Sequence, residues 1–216
     1  MAVYNEEKVI QEKLQCLQDL NYPKDKLAVF VGSDCSSDQT NPIIQYIQTS
    51  FPQLFFYPFQ ERQGKPGVVN QLAQKAIANY PQTDNHIFLM TDANVILEKD
   101  CLKNLARHFV DDDIVIVDAN MVNIGMQEAG ISQSENQYIS SEVRLKNNES
   151  IAWKIMAGPF GGCYTLRASH FHPVPKNYLV DDFYITMKVL EQKGGVINDL
   201  EAICYEAVSH EIQEEF

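Results

Sequence analysis

The chain contains no apolar stretch of bilayer length; across its 216 residues the hydrophobic runs are short and strand-sized. A membrane-spanning helix needs about 20 such residues in a row, so no span is read within this sequence. Cysteine is sparse and shows no pairing pattern. Cys16, Cys35, Cys101, Cys163 and Cys204 are odd in number, scattered, and form no C-x-x-C. That set argues against a disulfide framework and a structural zinc site, and it reads as reduced thiols in a cytosolic compartment. His170, His172 and His210 stand at no metal-ligand spacing with any of them, which disfavours zinc-dependent hydrolysis. Basic residues are in deficit, with 17 Lys and Arg against 29 Asp and Glu for a formal net charge of −12. This balance argues against nucleic acid as a partner while leaving room for a local basic pocket. Glycine is missing where a dinucleotide fold needs it. Val3-Tyr4-Asn5-Glu6 follows the first strand signal without G-x-G-x-x-G, which sets aside a dinucleotide-dependent oxidoreductase. What is present, 45 % hydrophobic and 21 % charged residues without repeats, suits a single globular domain over 1–216.

The first half alternates strand and helix signals. Ala2-Val3-Tyr4 precedes a helix predicted over 6–20, where Val9, Ile10, Leu14, Leu17 and Leu20 keep helical spacing. The continuous apolar run over 27–31 suits a strand buried on both faces. Asp38 is placed to cap a second helix, and a strand follows over 54–57. Pro66 suits the first turn of a third helix whose stripe is Val69, Leu72, Ala73, Ala76 and Ile77. A strand over 87–90, a helix over 102–110 and a strand over 114–117 complete the alternation. The order predicts an α/β fold, a mostly parallel central sheet with helices on both faces. Beyond it lie a polar stretch with a helix-like part over 134–146, a glycine-rich turn over 158–162, and a strand over 163–166. A helix over 182–193 and short strands over 196–197 and 203–205 end the pattern.

In such a sheet, ligands bind beyond the carboxyl ends of the strands. Three polar clusters fall there: Asn5-Glu6, residues 34–38, and Asp92-Ala93-Asn94. Helix capping explains any one of these acids alone; three at successive strand ends point to a site. Asp92 and Asn94, two residues apart just past a buried strand, offer carboxylate and amide oxygens to a hard cation such as Mg²⁺ or Mn²⁺.

Six pieces carry a family resemblance: Ala2-Val-Tyr-Asn-Glu-Glu7, Gly32-Ser-Asp-Cys-Ser-Ser-Asp-Gln-Thr40, Arg62-Gln-Gly-Lys-Pro-Gly-Val-Val-Asn70, Thr91-Asp-Ala-Asn94, Gly158-Pro-Phe-Gly-Gly162 and Val180-Asp-Asp182. In order and spacing they resemble the family 2 glycosyltransferases of the GT-A fold, the broad group that includes cellulose and hyaluronan synthases. The resemblance implies an inverting enzyme that moves a sugar from a nucleoside-diphosphate sugar, in the first instance UDP-linked. The acceptor would be a saccharide or lipid-linked hydroxyl, and the cofactor Mg²⁺ or Mn²⁺. It implies that Tyr4 and Glu6 hold the nucleoside and that Asp34 binds the uracil or ribose. Arg62 and Lys65 would line the nucleotide pocket, and Asp92 would be the metal-linked carboxylate of the family's D-x-D. Asn94 departs from that motif, offering an oxygen without a charge. Asp181-Asp182 resembles the family's E-D pair, with Asp182 as the general base.

Both ends read as cut, because Ala2-Val3-Tyr4 is strand-like without a lead-in and 211–216 is a polar helix-like run. The expectation is an excised catalytic piece, with 1–118 as the nucleotide-sugar half and 119–216 as the acceptor half. Its parent is expected to be membrane-anchored, with this part on the cytoplasmic face. The Arg/Trp-containing motif of processive members does not occur before Phe216. A nucleotide-sugar-binding domain without turnover is the rival reading, motivated by Asn94.

Overall fold

The computed structural model describes residues 1–81, 86–124, 131–156 and 158–207. The helix-like run over 211–216 and His210 lie outside the described residues. Strands β1 (Ala2–Val3), β2 (Val29–Asp34) and β3 (Leu54–Phe59) form a parallel sheet in that order. Helices α1 (Ile10–Asp19) and α2 (Thr40–Gln48) make the crossovers, as parallel pairing requires. Pro58, which has no N–H to give, sits on β3 at the edge of this sheet.

Helix α3 (Gly64–Asn79) leads to a second sheet. That sheet contains β4 (Ile87–Thr91), β5 (Val95–Leu97), β6 (Ile114–Ile124), β7 (Cys163–Arg167) and β8 (Gly195–Ala207), in the order β4-β7-β6-β8-β5. Helix α4 (Cys101–Arg107) precedes β6, α5 (Ile131–Trp153) follows it, and α6 (Asp181–Glu191) precedes β8. The α/β layering is as expected, but the strands form two sheets, and the second is antiparallel at three of its four pairings. β4 does not continue into a parallel β6, because β7 lies between them and runs antiparallel to both. Parallel pairing in this sheet is that of β6 with β8, while β5 and β8 are antiparallel. Strand and helix periods fix which segments cross over, but not which neighbour a strand selects.

One apolar core joins the two sheets, from Val3, Ile10, Leu14 and Val31 through Val95 and Leu105 to Val117 and Cys204. A second cluster under α6 packs Ile185 and Val189 on Ile116, Leu166 and Val196. Each such buried aliphatic side chain contributes on the order of 2 kcal/mol through removal from water. The expected boundary at 118/119 falls inside β6. α3 lies unusually close to β2, where a Cβ on Gly32 would come within 2.5 Å of Val68 Cγ1. That close approach brings the first turn of α3, with Lys65, over the strand ends.

Candidate active site

Two groups of side chains gather beyond the carboxyl ends of the strands. At the end of β2, Asp34 is buried and its carboxylate accepts hydrogen bonds from Gln63 N (2.6 Å), Gly64 N (3.0 Å) and Arg62 Nε (3.0 Å). A carboxylate has about four acceptor positions, so Asp34 anchors the loop before α3 and keeps one lone pair for a further donor. The Arg62 guanidinium carbon lies over the Tyr4 ring, 3.4 Å from its centroid, and over half of the Arg62 side chain remains exposed. Tyr4, Asp34 and Arg62 are therefore one assembly. Its two sides are joined by the loop after β1, where Asn5 Oδ1 accepts Ser37 N and Asn5 N donates to Ser36 Oγ. Asn5 takes φ +54° there, a left-handed conformation that asparagine tolerates better than most residues.

The second group centres on Lys65. Its ammonium lies 2.9 and 3.1 Å from the two Asp92 oxygens and 3.8 Å from Asp181 Oδ1. Burial pulls the Lys65 amine down, but Asp92, Asp181 and Asp182 outweigh it and hold the group above its ordinary value. Asp181 is buried at the start of α6, and burial raises its carboxyl, with Lys65 opposing and Asp182 adding to the rise. Glu6 is half-buried beside this group, raised by burial and then by Asp92 and Asp38. A helix start explains acids at 181 and 182 through the macrodipole. It does not explain why a lysine bridges one of them to Asp92.

Asp182 faces a different neighbour. Its Oδ1 accepts its own helix's Phe183 N–H at 2.7 Å, and its Oδ2 lies against Gly161. A Cβ on Gly161 would come within 2.4 Å of that oxygen, so only glycine lets the loop over 158–162 meet Asp182 this closely. The same loop touches Asp92, whose N–H donates to Gly162 O at 3.1 Å. Asp181 thus faces the lysine and Asp92, while Asp182 faces the loop.

Three residues that sequence reasoning passed over, Glu206, Lys13 and Tyr164, adjoin the site. Asn94 turns its amide towards Glu206 on β8, with Nδ2 donating to Oε1 at 3.0 Å. Burial raises the Glu206 carboxyl; Asn94 opposes this and Asp92 adds to it. Lys13, wholly buried on α1, donates to Thr91 Oγ1 at 2.7 Å and to Val95 O, holding both sides of the Asp92–Asn94 turn. Its signal was present, since 10, 13, 14 and 17 share one helical face. Tyr164 on β7 is buried, and its hydroxyl has no hydrogen-bond partner among the described residues. A cavity of about 540 Å³ runs between α3, β2 and β4. Its walls are mostly apolar, and only the end formed by Lys65, Asp92, Tyr164 and Asp181 belongs to the site.

The donors fit a hard divalent cation shared with a ligand. Asp92 presents both oxygens to a positive charge already, that of Lys65. No group of three or more His, Cys, Asp and Glu side chains is arranged for a metal among the described residues. A cation here would therefore take most of its coordination from phosphate and water.

The α/β fold is that of the GT-A glycosyltransferases. A solved mannosyltransferase from Pyrobaculum calidifontis, in complex with GDP-Man and Mn²⁺, superposes with a TM-score of 0.77 at 23 % identity, over 98 % of this chain and 56 % of its own. Staphylococcus aureus TarS 1–349 with UDP-GlcNAc gives a TM-score of 0.70 at 19 % identity, over 97 % of this chain and 58 % of its own. The sequence model of glycosyl transferase family 2 matches residues 1–171, and the chain belongs to that family. The poly(ribitol-phosphate) beta-N-acetylglucosaminyltransferase TarS of S. aureus is 30 % identical over 154 residues, 70 % of this chain and 25 % of that protein. A beta-monoglucosyldiacylglycerol synthase from Synechocystis is 31 % identical over 111 residues, 50 % of this chain and 22 % of its own length. The chain thus spans about a quarter of the length of these two relatives.

Proposed function

We propose that this chain is the catalytic domain of an inverting glycosyltransferase using a nucleoside-diphosphate sugar, UDP-linked in the first instance, and Mg²⁺ or Mn²⁺. The observation that carries the reading is the separation of Asp92 from Asp182 on two sides of one loop, with Lys65 between Asp92 and Asp181. An in-line displacement needs that separation, because the attacking and leaving oxygens lie on opposite faces of the anomeric carbon. Asp182 takes the proton from the acceptor hydroxyl as the new C–O bond forms. The bond from carbon to diphosphate breaks, and the electron pair leaves with the phosphate oxygen. Asp92 and, through its amide oxygen, Asn94 would hold the cation, which neutralises the departing diphosphate when bound. Lys65 adds a fixed positive charge on that side. Tyr4, Arg62 and the remaining lone pair of Asp34 receive the nucleoside, with Glu6 beside them. Similarity to proteins solved with UDP-GlcNAc and with GDP-Man and Mn²⁺ supports the donor class.

The acceptor is proposed to be a saccharide or lipid-linked hydroxyl. The parent protein is proposed to be membrane-anchored, with this domain on the cytoplasmic face, where nucleotide sugars are made. No helix among the described residues is long and apolar enough to cross a membrane, so the anchor would lie in flanking sequence. Thermal melting with UDP, GDP and their sugars, with and without Mn²⁺, tests the donor. A ligand at 100 times its Kd adds about 2.7 kcal/mol. Metal-dependent stabilisation together with UDP release on donor hydrolysis supports the enzyme. Stabilisation without release supports a binding domain lacking turnover.

A further inference from the structure

The loop over 158–162 touches both sides of the site, through Gly162 O on Asp92 N–H and Gly161 on Asp182. Its middle residue, Phe160, gives it a further attachment to the body of the domain. The Phe160 N–H donates to both oxygens of Asp118, at 3.2 and 3.3 Å, and Asp118 lies wholly buried on β6. Lys146 of α5 sets its ammonium 3.4 Å from the centroid of the Phe160 ring, a strong cation–π distance for a side chain only 9 % exposed. Lys146 is itself held. Its ammonium lies 3.4 Å from Glu142, and the Ser150 hydroxyl, one turn on, donates to Lys146 O at 2.7 Å. That hydroxyl also accepts Asn198 N–H at 2.9 Å, tying α5 to β8. Burying a carboxylate and an ammonium is costly, and packing alone would be served as well by apolar residues of similar size.

The geometry points to Asp118 and Lys146 as positioning residues for sugar transfer. Gripping Phe160 from two sides, they set the height of the loop, and the loop sets where Asp182 stands relative to Asp92. This rests on the transferase reading above, and neither residue touches the reacting groups themselves.

The test uses the intact chain with Asp118→Ala and Lys146→Met, set beside Asp118→Asn, whose amide oxygen still accepts the Phe160 N–H. Small misplacements of reacting groups cost up to about 100-fold in rate. The expected result is a kcat for donor turnover lowered about 10-fold or more in Asp118→Ala and Lys146→Met, with donor KM and UDP affinity within about twofold. Amide hydrogen exchange over 160–162 accelerates in the same two variants. Asp118→Asn restores most of both the rate and the protection. An unchanged kcat per folded molecule in Asp118→Ala overturns the inference. So does an Asp118→Asn variant as slow as Asp118→Ala, because the carboxylate would then carry a proton itself. Loss of UDP affinity in step with rate also overturns it, as general damage. If the wild type binds UDP but turns nothing over, the transferase reading falls instead. Exchange then decides the clamp alone, and unchanged protection over 160–162 in Asp118→Ala refutes it.

Discussion

At the scale of single residues, the site is a balance between one lysine and the acids around it. Lys65 occupies both oxygens of Asp92, so a divalent cation arriving there must compete with an ammonium. On the proposed function, a bound diphosphate would resolve the competition, because it would bring negative charge for Lys65 and oxygens for the metal together. Asp92→Asn removes the charge that both cations share. It is expected to abolish the Mn²⁺-dependent part of UDP stabilisation while leaving the unliganded melting temperature nearly unchanged. Metal-dependent stabilisation that survives in that variant would take Asp92 out of the metal site. Asn94→Asp is expected to tighten Mn²⁺ binding to the UDP complex, read by titration calorimetry, provided the new carboxylate turns away from Glu206, where Asn94 now donates. An unchanged affinity would mean that position 94 contributes no ligand. Asp181 and Asp182 separate in the same way. Asp182→Asn should keep donor binding and lower transfer by about 10²- to 10⁴-fold, the span for losing a general base. Asp181→Asn should do less to transfer and more to UDP affinity, since Asp181 faces Lys65. The reverse pattern would exchange their roles.

At the scale of elements, the loop over 158–162 shows why one glycine cannot stand for another. An alanine at 161 meets the carboxylate of Asp182, whose end can swing away, whereas one at 162 meets Met121 Cε at 2.5 Å and Val95 Cγ2 at 3.0 Å in the core. Gly161→Ala should therefore melt close to wild type yet lose most of its transfer. Gly162→Ala should lose stability, by about 1–3 kcal/mol as overpacked cores do. Equal losses of stability in the two, by denaturant titration, would contradict this reading. The motif pieces and the helices α1 to α4 were legible in the sequence, because apolar spacing and strand-end acids are local signals. Strand partners were not. The alternation said nothing of β7 inserting between β4 and β6, and β5, three residues long, carries no period. β8 reads as two short strands because Asn198, Asp199, Leu200 and Glu201 interrupt its apolar pattern, and the structure holds them as a bulge within one strand. There the register moves from Ala119 opposite Asp199 to Asn120 opposite Ile203. Asp199 stabilises the break by accepting Arg107 Nη2 and Glu201 N and by pairing with His108. Glu206 lies beyond that break, so its approach to Asn94 is a consequence of tertiary pairing that no local pattern encodes.

At the scale of the whole molecule, a few of the acids behind the formal charge of −12 are held out of water. Glu6, Asp181, Glu206 and Asp118 all have carboxyls held above their ordinary values, chiefly by burial. A raised folded-state value means that the folded chain keeps the proton longer than the unfolded chain. Such a group contributes stability that is fully present below the ordinary carboxylate range, about pH 4, and is lost as pH rises through the folded value. The unliganded domain should thus carry a stability penalty that grows with pH above the ordinary range, and Asp118, wholly buried, should contribute to it. Asp118→Asn keeps an acceptor for Phe160 N–H and has no proton to lose. Its melting temperature should match or fall slightly below wild type at pH 4 to 5, then gain on it steadily towards pH 8. Lys146 tempers this trend, because its ammonium pulls the Asp118 carboxyl back down, so Lys146→Met should steepen the pH dependence of a chain that retains Asp118. A constant offset between Asp118→Asn and wild type across that range would mean that the buried carboxylate costs nothing to ionise. Its retention at position 118 would then need no compensation from the loop it holds.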